Sequence, residues 1–324
     1  MFVSTNRFGA VMREPLVIVS GLRAKEAERV APLLREWNRP VFAEGTSRLR
    51  GRLGENEIRG GERVLRRLKF DGVIRVGTVP TLRYWRDLEN SGVDVRNFTA
   101  QRFSGLARAS ATAPFDALAE LRSFTAWSSE ERALDREHAR SRADLFQEFP
   151  LSEPAWVERV SGWMPENARV FLGNSLPIRE WDFASRLNAP TDVFANRGAN
   201  GIDGLVSTFC GLSSPGLSNW ALLGDLSVMY DLSGPWALRP RPIEDWNLVV
   251  INNGGGQIFN RMFRHPLFLN SHDMNFESWA KMWSLRYERM ERVGTLEVAK
   301  GPRVIEVRPS AEQTENFWQA WERA

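Results

Sequence analysis

The chain has 324 residues, and its 43 Lys plus Arg against 40 Asp plus Glu leave a formal net charge of only +3. This length suits two domains better than one, and the balanced charge argues against nucleic acid or a membrane as the main partner. The single Cys210 has no disulfide partner within the chain, and no apolar run approaches the ~18 residues of a membrane span. Residues 1–14 lack the apolar core of a secretory signal. We therefore expect a cytoplasmic protein.

The first part of the chain alternates short apolar runs with helical patterns. Three runs have the length of buried strands: residues 15–20, 40–43 and 72–76. Residues 24–34 repeat apolar side chains at helical spacing, and Pro80 stands where a further helix could begin. This alternation predicts a parallel, doubly wound α/β sheet.

Residues 47–69 are rich in Arg, which raises the alternative of a nucleic-acid surface. No aromatic side chain is interleaved for base stacking, and three Glu interrupt the positive charge. We therefore predict a solvated loop and helix face.

Residues 124–149 are highly charged with a helical period, which predicts a connecting helix capped at Ser128 or Ser129. Pro150 and Pro154 then mark the end of a first domain, 1–150.

The second part, 151–324, repeats the alternation. Its apolar runs predict strands at residues 169–172, 192–195, 220–223, 248–251 and 303–307. Its helical patterns lie at residues 157–163, 176–187, 202–211, 226–238, 276–283 and 312–321. The fold class is thus α/β, with two doubly wound domains and mainly parallel sheets.

Two of these strands end in small polar residues. Residues 220–223 lead into Gly224-Asp225, and residues 248–251 lead into the sequence NNGGG at 252–256. Open α/β sheets bind ligands at the carboxyl ends of their strands, and carboxylate and amide oxygens suit a hard cation such as Mg²⁺. Such a cation commonly also holds phosphate, and N–H groups at the start of a helix after Asp225 would face an anion. The alternative is a pair of ordinary turns rich in Gly and Asn.

These turns resemble the diphosphate-binding motif of the thiamine-diphosphate enzymes, in which Gly-Asp opens the motif and Asn-Asn closes it. Here Asn253 follows Asp225 by twenty-eight residues, and Leu226 departs from the family because many members have Gly there. Four segments resemble the 2-succinyl-5-enolpyruvyl-6-hydroxy-3-cyclohexene-1-carboxylate synthases of menaquinone biosynthesis, hereafter the menaquinone-pathway synthases. They are GNSLPIR at 173–179, NRGANGIDG at 196–204, GDLS at 224–227 with YDL at 230–232, and NNGGGQIF at 252–259.

The resemblance implies a cofactor site for thiamine diphosphate and Mg²⁺, with Mn²⁺ as an alternative metal. Asp225, Asn253 and the carbonyl of Gly255 would bind the metal. The cofactor contacts would come from these three and from Gly224, Leu226, Ser227 and Ile202. Ile202 matches an apolar residue under the cofactor, although a plain helix-start core residue is the alternative.

The resemblance also implies two dicarboxylate substrates, isochorismate and 2-oxoglutarate. Planar guanidinium groups bind carboxylates with two hydrogen bonds. The residues implied at the reaction site are Ser175, Arg179, Arg197, Gln257, Ile258, Phe259 and Arg83. Simpler roles remain open, because Arg179 could pair with Glu180 or Asp182, Arg197 with Asp203, and Arg83 with a surface acid.

The same family has three domains and builds its active sites between subunits. Residues 1–150 resemble its central domain, and 151–324 resemble its diphosphate-binding domain. We find no counterpart of the N-terminal domain, which binds the aminopyrimidine and supplies a Glu. The expectation is therefore part of a homo-oligomeric synthase, inactive without that domain. A non-catalytic relative that retains a phosphate site and another thiamine-diphosphate carboligase are the alternatives.

Overall fold

The computed structural model describes residues 11–101, 103–121, 124–198, 200–241, 243–263, 265–296 and 301–324. Residues 1–10, on which part of the secretory-signal argument rests, and Ala199 of the second segment lie outside this range. The chain divides into two compact units, Met1–Arg140 and Ser141–Ala324. The division falls within the predicted connecting helix.

The first unit contains a five-stranded sheet. Its strands are β1 (Pro15–Val19), β2 (Val41–Ala43), β3 (Gly72–Val76), β4 (Asp94–Phe98) and β5 (Ala111–Ala113). All pair in parallel in the order β2-β1-β3-β4-β5, so the fold class is confirmed here. The sequence did not predict β4 and β5, because DVRNF and ATA contain too few apolar residues to stand out. Near the end of β1, the Ser20 hydroxyl donates to the Thr78 carbonyl, and a Cβ on Gly21 would lie 2.7 Å from Thr78 Oγ1.

The second unit contains a six-stranded sheet, also entirely parallel. Its strands are β6 (Arg169–Leu172), β7 (Asp192–Ala195), β8 (Asn219–Gly224), β9 (Trp246–Ile251), β10 (Arg286–Met290) and β11 (Arg303–Val307). The order is β10-β11-β9-β8-β6-β7. Strand β10 escaped prediction because RYERM is a polar edge strand. Strand β9 is buried along its whole length, as expected for a parallel strand covered on both faces.

Eleven α-helices are present among the described residues. They are α1 (Ala24–Glu36), α2 (Glu62–Leu65), α3 (Arg83–Asp87), α4 (Ser129–Glu148), α5 (Glu153–Trp163), α6 (Leu176–Ala184), α7 (Leu205–Leu212), α8 (Asp225–Met229), α9 (Asn260–Phe263), α10 (Glu277–Met282) and α11 (Ala311–Arg323). Helix α4 begins at the predicted cap, where the Ser128 hydroxyl accepts from Glu131 N–H and the Glu131 carboxylate accepts from Ser128 N–H. Among the described residues, no helix is both long and apolar enough to cross a bilayer.

Three predicted helix boundaries were wrong. The helix predicted at 157–163 begins earlier, at Glu153, because Ser152 caps α5 and Pro154 lies in the first turn, where its missing N–H costs little. The predicted helix 226–238 is divided into α8, which ends at Met229, and a separate 3₁₀ turn, Gly234–Leu238, with Pro235 in its first turn. Helix α7 begins three residues later than predicted, after Gly204 with its left-handed backbone at φ 67°.

Candidate active site at the carboxyl end of the second sheet

The candidate site lies where the strand order of the second sheet reverses. Strand β6 connects onward to β7 on one side, whereas β8 connects onward to β9 on the other. Adjacent turns diverge at such a point and leave a crevice, which is the usual ligand site of open α/β sheets. A cavity of about 350 Å³ opens there. It is lined by Glu153, Asn174, Ser175, Leu176, Pro177, Arg179, Arg197, Asn200, Gly201, Ile202, Gly224, Asp225, Leu226, Ser227, Asn253, Gly255, Gly256, Gln257, Ile258 and Phe259.

Asp225 connects the turns that follow β8 and β9. These strands are parallel neighbours in which Gly224 pairs with Ile251, so the residues after them come side by side. Asp225 Oδ2 accepts from the N–H groups of Gly254 and Gly255, each at 2.9 Å, and Oδ1 accepts from Leu226 N–H at 2.6 Å. Burial raises the pKa of Asp225, and these three donors oppose that rise.

Glycine is required at position 255 for two reasons. Its φ of 134° is rarely adopted by other residues, and a Cβ there would collide with the carbonyl oxygen of Leu269. The segment around Leu269 thus packs directly on the loop that carries Asn253. His272 belongs to the same segment, and its backbone N–H donates to the Gly254 carbonyl at 3.2 Å.

Asn253 is held by an acid that lies one hundred residues earlier in the chain. Its Nδ2 donates to both carboxylate oxygens of Glu153, at 2.9 and 3.2 Å. Its Oδ1 is buried and accepts no hydrogen bond from the described residues. Burial raises the pKa of Glu153, and the buried Glu180 carboxyl lies within hydrogen-bonding reach of it. Burial and the neighbouring Glu153 together raise the pKa of Glu180 well above its ordinary range.

Two arginines project into the same cavity. Arg197 Nη1 donates to Oδ1 of the buried Asn174 at 3.0 Å, and Asn174 Nδ2 donates to the Gly201 carbonyl at 2.7 Å. Arg179 donates to the Ser175 carbonyl. Arg179 is exposed on α6, whereas its neighbour Glu180 is buried. Because adjacent residues of a helix point in different directions, the Arg179 guanidinium and the Glu180 carboxyl lie on different faces of α6. The cavity therefore combines two cations with the buried carboxylates of Asp225 and Glu153.

Ser175 has a strained backbone at the start of α6. Its φ is 76° and its ψ is −130°, a conformation that L-residues other than Gly seldom adopt. The side chain lies in the cavity lining with Leu176 and Pro177 of the same turn. A strained residue that also lines a cavity is a further indication of a functional site.

The structure brings together thirteen of the fourteen residues that the sequence assigned to the site, since all but Arg83 line the cavity. Ile202 lies in the turn before α7 and is half-buried, so it is not a helix-start core residue. Arg83 belongs to the first unit, where it begins α3 with a side chain 73% exposed and Nε 3.4 Å from Asp87 Oδ1. The surface salt bridge considered for Arg83 is thus present, and a role toward substrate stays a prediction.

Sequence reasoning missed Glu153, Glu180 and His272. Glu153 precedes Pro154, which was interpreted as part of the domain boundary. Glu180 was considered only as a partner of Arg179. His272 fits no metal-binding spacing, and its contact with Asp225 depends on the folded loop. The sequence did offer a helix start next to Glu153, because Ser152 is a capping residue and Pro154 suits the first turn of a helix.

The donors available to a metal are mostly oxygens. Among the described residues, no group of three or more His, Cys, Asp or Glu is placed to hold an ion. One carboxylate with amide and backbone oxygens remains, which is a set that suits Mg²⁺ or Mn²⁺ when phosphate completes the coordination. The unpaired, buried Oδ1 of Asn253 fits this use.

No protein-family model matches the chain, but two curated relatives with the same name are similar to it. A 2-succinyl-5-enolpyruvyl-6-hydroxy-3-cyclohexene-1-carboxylate synthase from Bdellovibrio bacteriovorus is 39% identical over 339 residues, which cover 99% of this chain and 62% of the relative. The synthase of the same name from Akkermansia muciniphila is 34% identical over 324 residues, covering 93% and 60%. A solved structure from Mycobacterium smegmatis, described as a thiamin diphosphate-dependent enzyme, matches with a TM-score of 0.61 at 18% identity, covering 92% of this chain and 62% of that one.

The chain therefore has the α/β fold of a thiamine-diphosphate-dependent enzyme. Its sequence is similar to the two menaquinone-pathway synthases named above. It spans about three-fifths of the length of the curated relatives it matches, 62% and 60%.

Proposed function

We propose that the chain forms the central and diphosphate-binding domains of a thiamine-diphosphate-dependent synthase, a cytoplasmic transferase. The reaction would decarboxylate 2-oxoglutarate and add the succinyl semialdehyde unit to isochorismate in menaquinone biosynthesis. The observation that carries this proposal is the convergence of four separate sequence segments on one cavity with two arginines and an unpaired amide oxygen. The homology to the menaquinone-pathway synthases supports it.

Asp225, Asn253 Oδ1 and the Gly255 carbonyl would hold Mg²⁺ or Mn²⁺. The turns keep these groups adjacent, because the Asp225 carboxylate already accepts from the N–H groups of Gly254 and Gly255. Space for a diphosphate is available beside them, since nothing lies within 4 Å of where a Cβ on Gly224 would stand. Leu226 and Ser227 line the cavity from the first turn of α8.

The cofactor would supply, when bound, the nucleophilic carbon for decarboxylation of a 2-oxo acid and for the bond formation that follows. The protein's residues would bind and orient the reactants. Ile202 would support the cofactor from below, and Arg179 and Arg197 would each bind a substrate carboxylate with two hydrogen bonds. Ser175, Gln257, Ile258 and Phe259 would complete the pocket wall.

The remaining part of the active site would come from the N-terminal domain of a second subunit, which binds the aminopyrimidine. Support comes from the length comparison and from an aromatic cluster next to the cavity. Phe259, Phe263 and Phe268 are 41%, 48% and 48% exposed, with ring centroids 6.0 and 4.6 Å apart along the series. Exposed apolar groups of this size commonly mark an interface.

Reconstitution tests the proposal. The chain alone, an N-terminal domain supplied as a second polypeptide, and the two mixed would be assayed for loss of isochorismate absorbance in the presence of 2-oxoglutarate, Mg²⁺ and thiamine diphosphate. We expect turnover by the mixture only. Turnover by the chain alone would contradict the incomplete site. A well-folded but silent mixture would favour the non-catalytic relative, and turnover with a different 2-oxo acid would favour another carboligase.

Calorimetric titration tests the cofactor site separately. The isolated chain should bind Mg²⁺ and thiamine diphosphate weakly, because part of the cofactor's contacts belong to the other domain. Asp225→Ala should abolish that binding. Persistence of binding in Asp225→Ala would show that the metal lies elsewhere.

A further inference from the structure

The Glu153 carboxylate determines the orientation of the Asn253 side-chain amide. An amide can turn either its oxygen or its nitrogen toward a neighbour, and only one orientation leaves the oxygen available to a metal. In this structure Nδ2 faces Glu153, with N–O distances of 2.9 and 3.2 Å, and Oδ1 is the buried atom without a partner.

Glu153 is itself held firmly. It is 2% exposed and lies in the first turn of α5, where its backbone N–H donates to the Thr314 hydroxyl at 3.0 Å. Ser152 caps that helix, so the backbone that carries the carboxylate is fixed. A carboxylate so placed accepts hydrogen bonds and directs the amide nitrogen of Asn253 toward itself.

We propose that Glu153 is a positioning residue, which holds Nδ2 of Asn253 toward itself, leaves the unpartnered Oδ1 for the metal and thereby sets the affinity of the metal site. This inference rests on the proposed function, because it takes Asn253 as a ligand. Groups behind a metal ligand fix its orientation, and their loss weakens metal binding even though they do not touch the ion.

The test measures Mn²⁺ bound by the full chain in the presence of thiamine diphosphate, followed by electron paramagnetic resonance. Glu153→Leu removes the acceptor, and binding should weaken by about 10- to 100-fold. Glu153→Gln keeps a carbonyl oxygen that accepts from Asn253, while its amide can donate to Glu180, so binding should stay within about threefold of the unchanged chain. Glu158→Leu is the matched control, since Glu158 lies on the same helix and binds Arg186 instead, at 2.7 Å.

A second measurement reads the Asn253 amide directly and does not depend on the folding of Glu153→Leu. With ¹⁵N-labelled Asn, the side-chain signal of Asn253 is assigned by its loss in Asn253→Ser. We expect its protons in the unchanged chain to exchange with water more slowly than those of exposed Asn side chains. Exchange as fast as theirs would overturn the inference.

The possible failures can be told apart. Equal Mn²⁺ affinity in Glu153→Leu and the unchanged chain would overturn the role of Glu153 and leave the metal site standing. A loss in Glu158→Leu as large as that in Glu153→Leu would also overturn it, because the effect would then belong to the helix. Lack of bound Mn²⁺ in the unchanged chain would overturn both the metal site and the inference.

Discussion

His272 Nε2 lies 3.2 Å from Asp225 Oδ2, with the imidazole side chain only 8% exposed. The other ring nitrogen, Nδ1, accepts from Met274 N–H at 3.3 Å, so the neutral ring carries its proton on Nε2. His272 also donates its backbone N–H to the Gly254 carbonyl. His272 therefore contacts both turns of the proposed metal site.

His272→Ala should loosen these turns without unfolding the protein. Losing the contact of the imidazole with Asp225 and its hydrogen bond from Met274 N–H should speed amide exchange at residues 254–256 and 269–274 by about two- to tenfold. Hydrogen–deuterium exchange with mass spectrometry measures this. His265→Ala is the control, because His265 accepts from Leu267 N–H in an exposed turn. Identical exchange at residues 254–256 in the two variants would show that His272 does not hold the site.

Arg179→Ala and Arg197→Ala should impair substrate use far more than cofactor binding. In a synthase with the N-terminal domain restored, each should cost about 2 to 3 kcal/mol in kcat/KM for the substrate it binds. Cofactor affinity, measured by calorimetry, should change little. Arg186→Ala is the control, because Arg186 pairs with Glu158. Parallel losses of cofactor and substrate affinity would assign the two arginines a structural role.

Glu306→Gln should destabilise the second unit. Glu306 is fully buried, and burial would raise its pKa, but hydrogen bonds from Phe276 N–H, Arg308, Asn252 and Tyr287 lower it overall. A lowered pKa means that the ionised carboxylate stabilises the fold above the unfolded value of 4.5, and that this stability is lost as pH falls through the folded pKa.

Urea unfolding measures the effect of Glu306→Gln. Near pH 7 the free energy of unfolding should fall by about 1 to 3 kcal/mol, and the difference should shrink as the pH is lowered below 4.5. Glu291→Gln removes an exposed carboxylate paired with Arg289 and should change stability little. A pH-independent loss in Glu306→Gln would assign the effect to packing.

Ser175→Gly should stabilise the protein while it removes a side chain from the cavity. The backbone of Ser175 at φ 76° costs a non-Gly residue about 1 to 3 kcal/mol, and Gly relieves part of that cost. Ser185→Gly is the control at the other end of α6, where φ is −59° and Gly should destabilise. A lower midpoint of thermal unfolding for Ser175→Gly would show that its hydroxyl contributes more than the strain costs.

Part of the site could be predicted because neighbouring parallel strands deliver their ends to one edge. Asp225 and Asn253 follow β8 and β9, so a sequence pattern sufficed to place them together. Glu153 comes from a helix one hundred residues earlier, and no local pattern encodes a contact of that range. Strand β5 was missed for a different reason, since its three residues pair with β4 but carry no distinctive alternation.

The contact of Thr78 with Ser20 and Gly21 has a consequence for protein design. Both sheets reverse their strand order, but in the first sheet the Thr78 side chain occupies the space that a Cβ on Gly21 would need. In the second, the space beside Gly224 is empty of protein atoms. At the point where the strand order reverses, the first sheet is thus filled by protein atoms and the second leaves a cavity. The difference depends on a few atoms in the turns. Thr78→Gly is therefore the first substitution to make when a second cavity is to be designed in this chain.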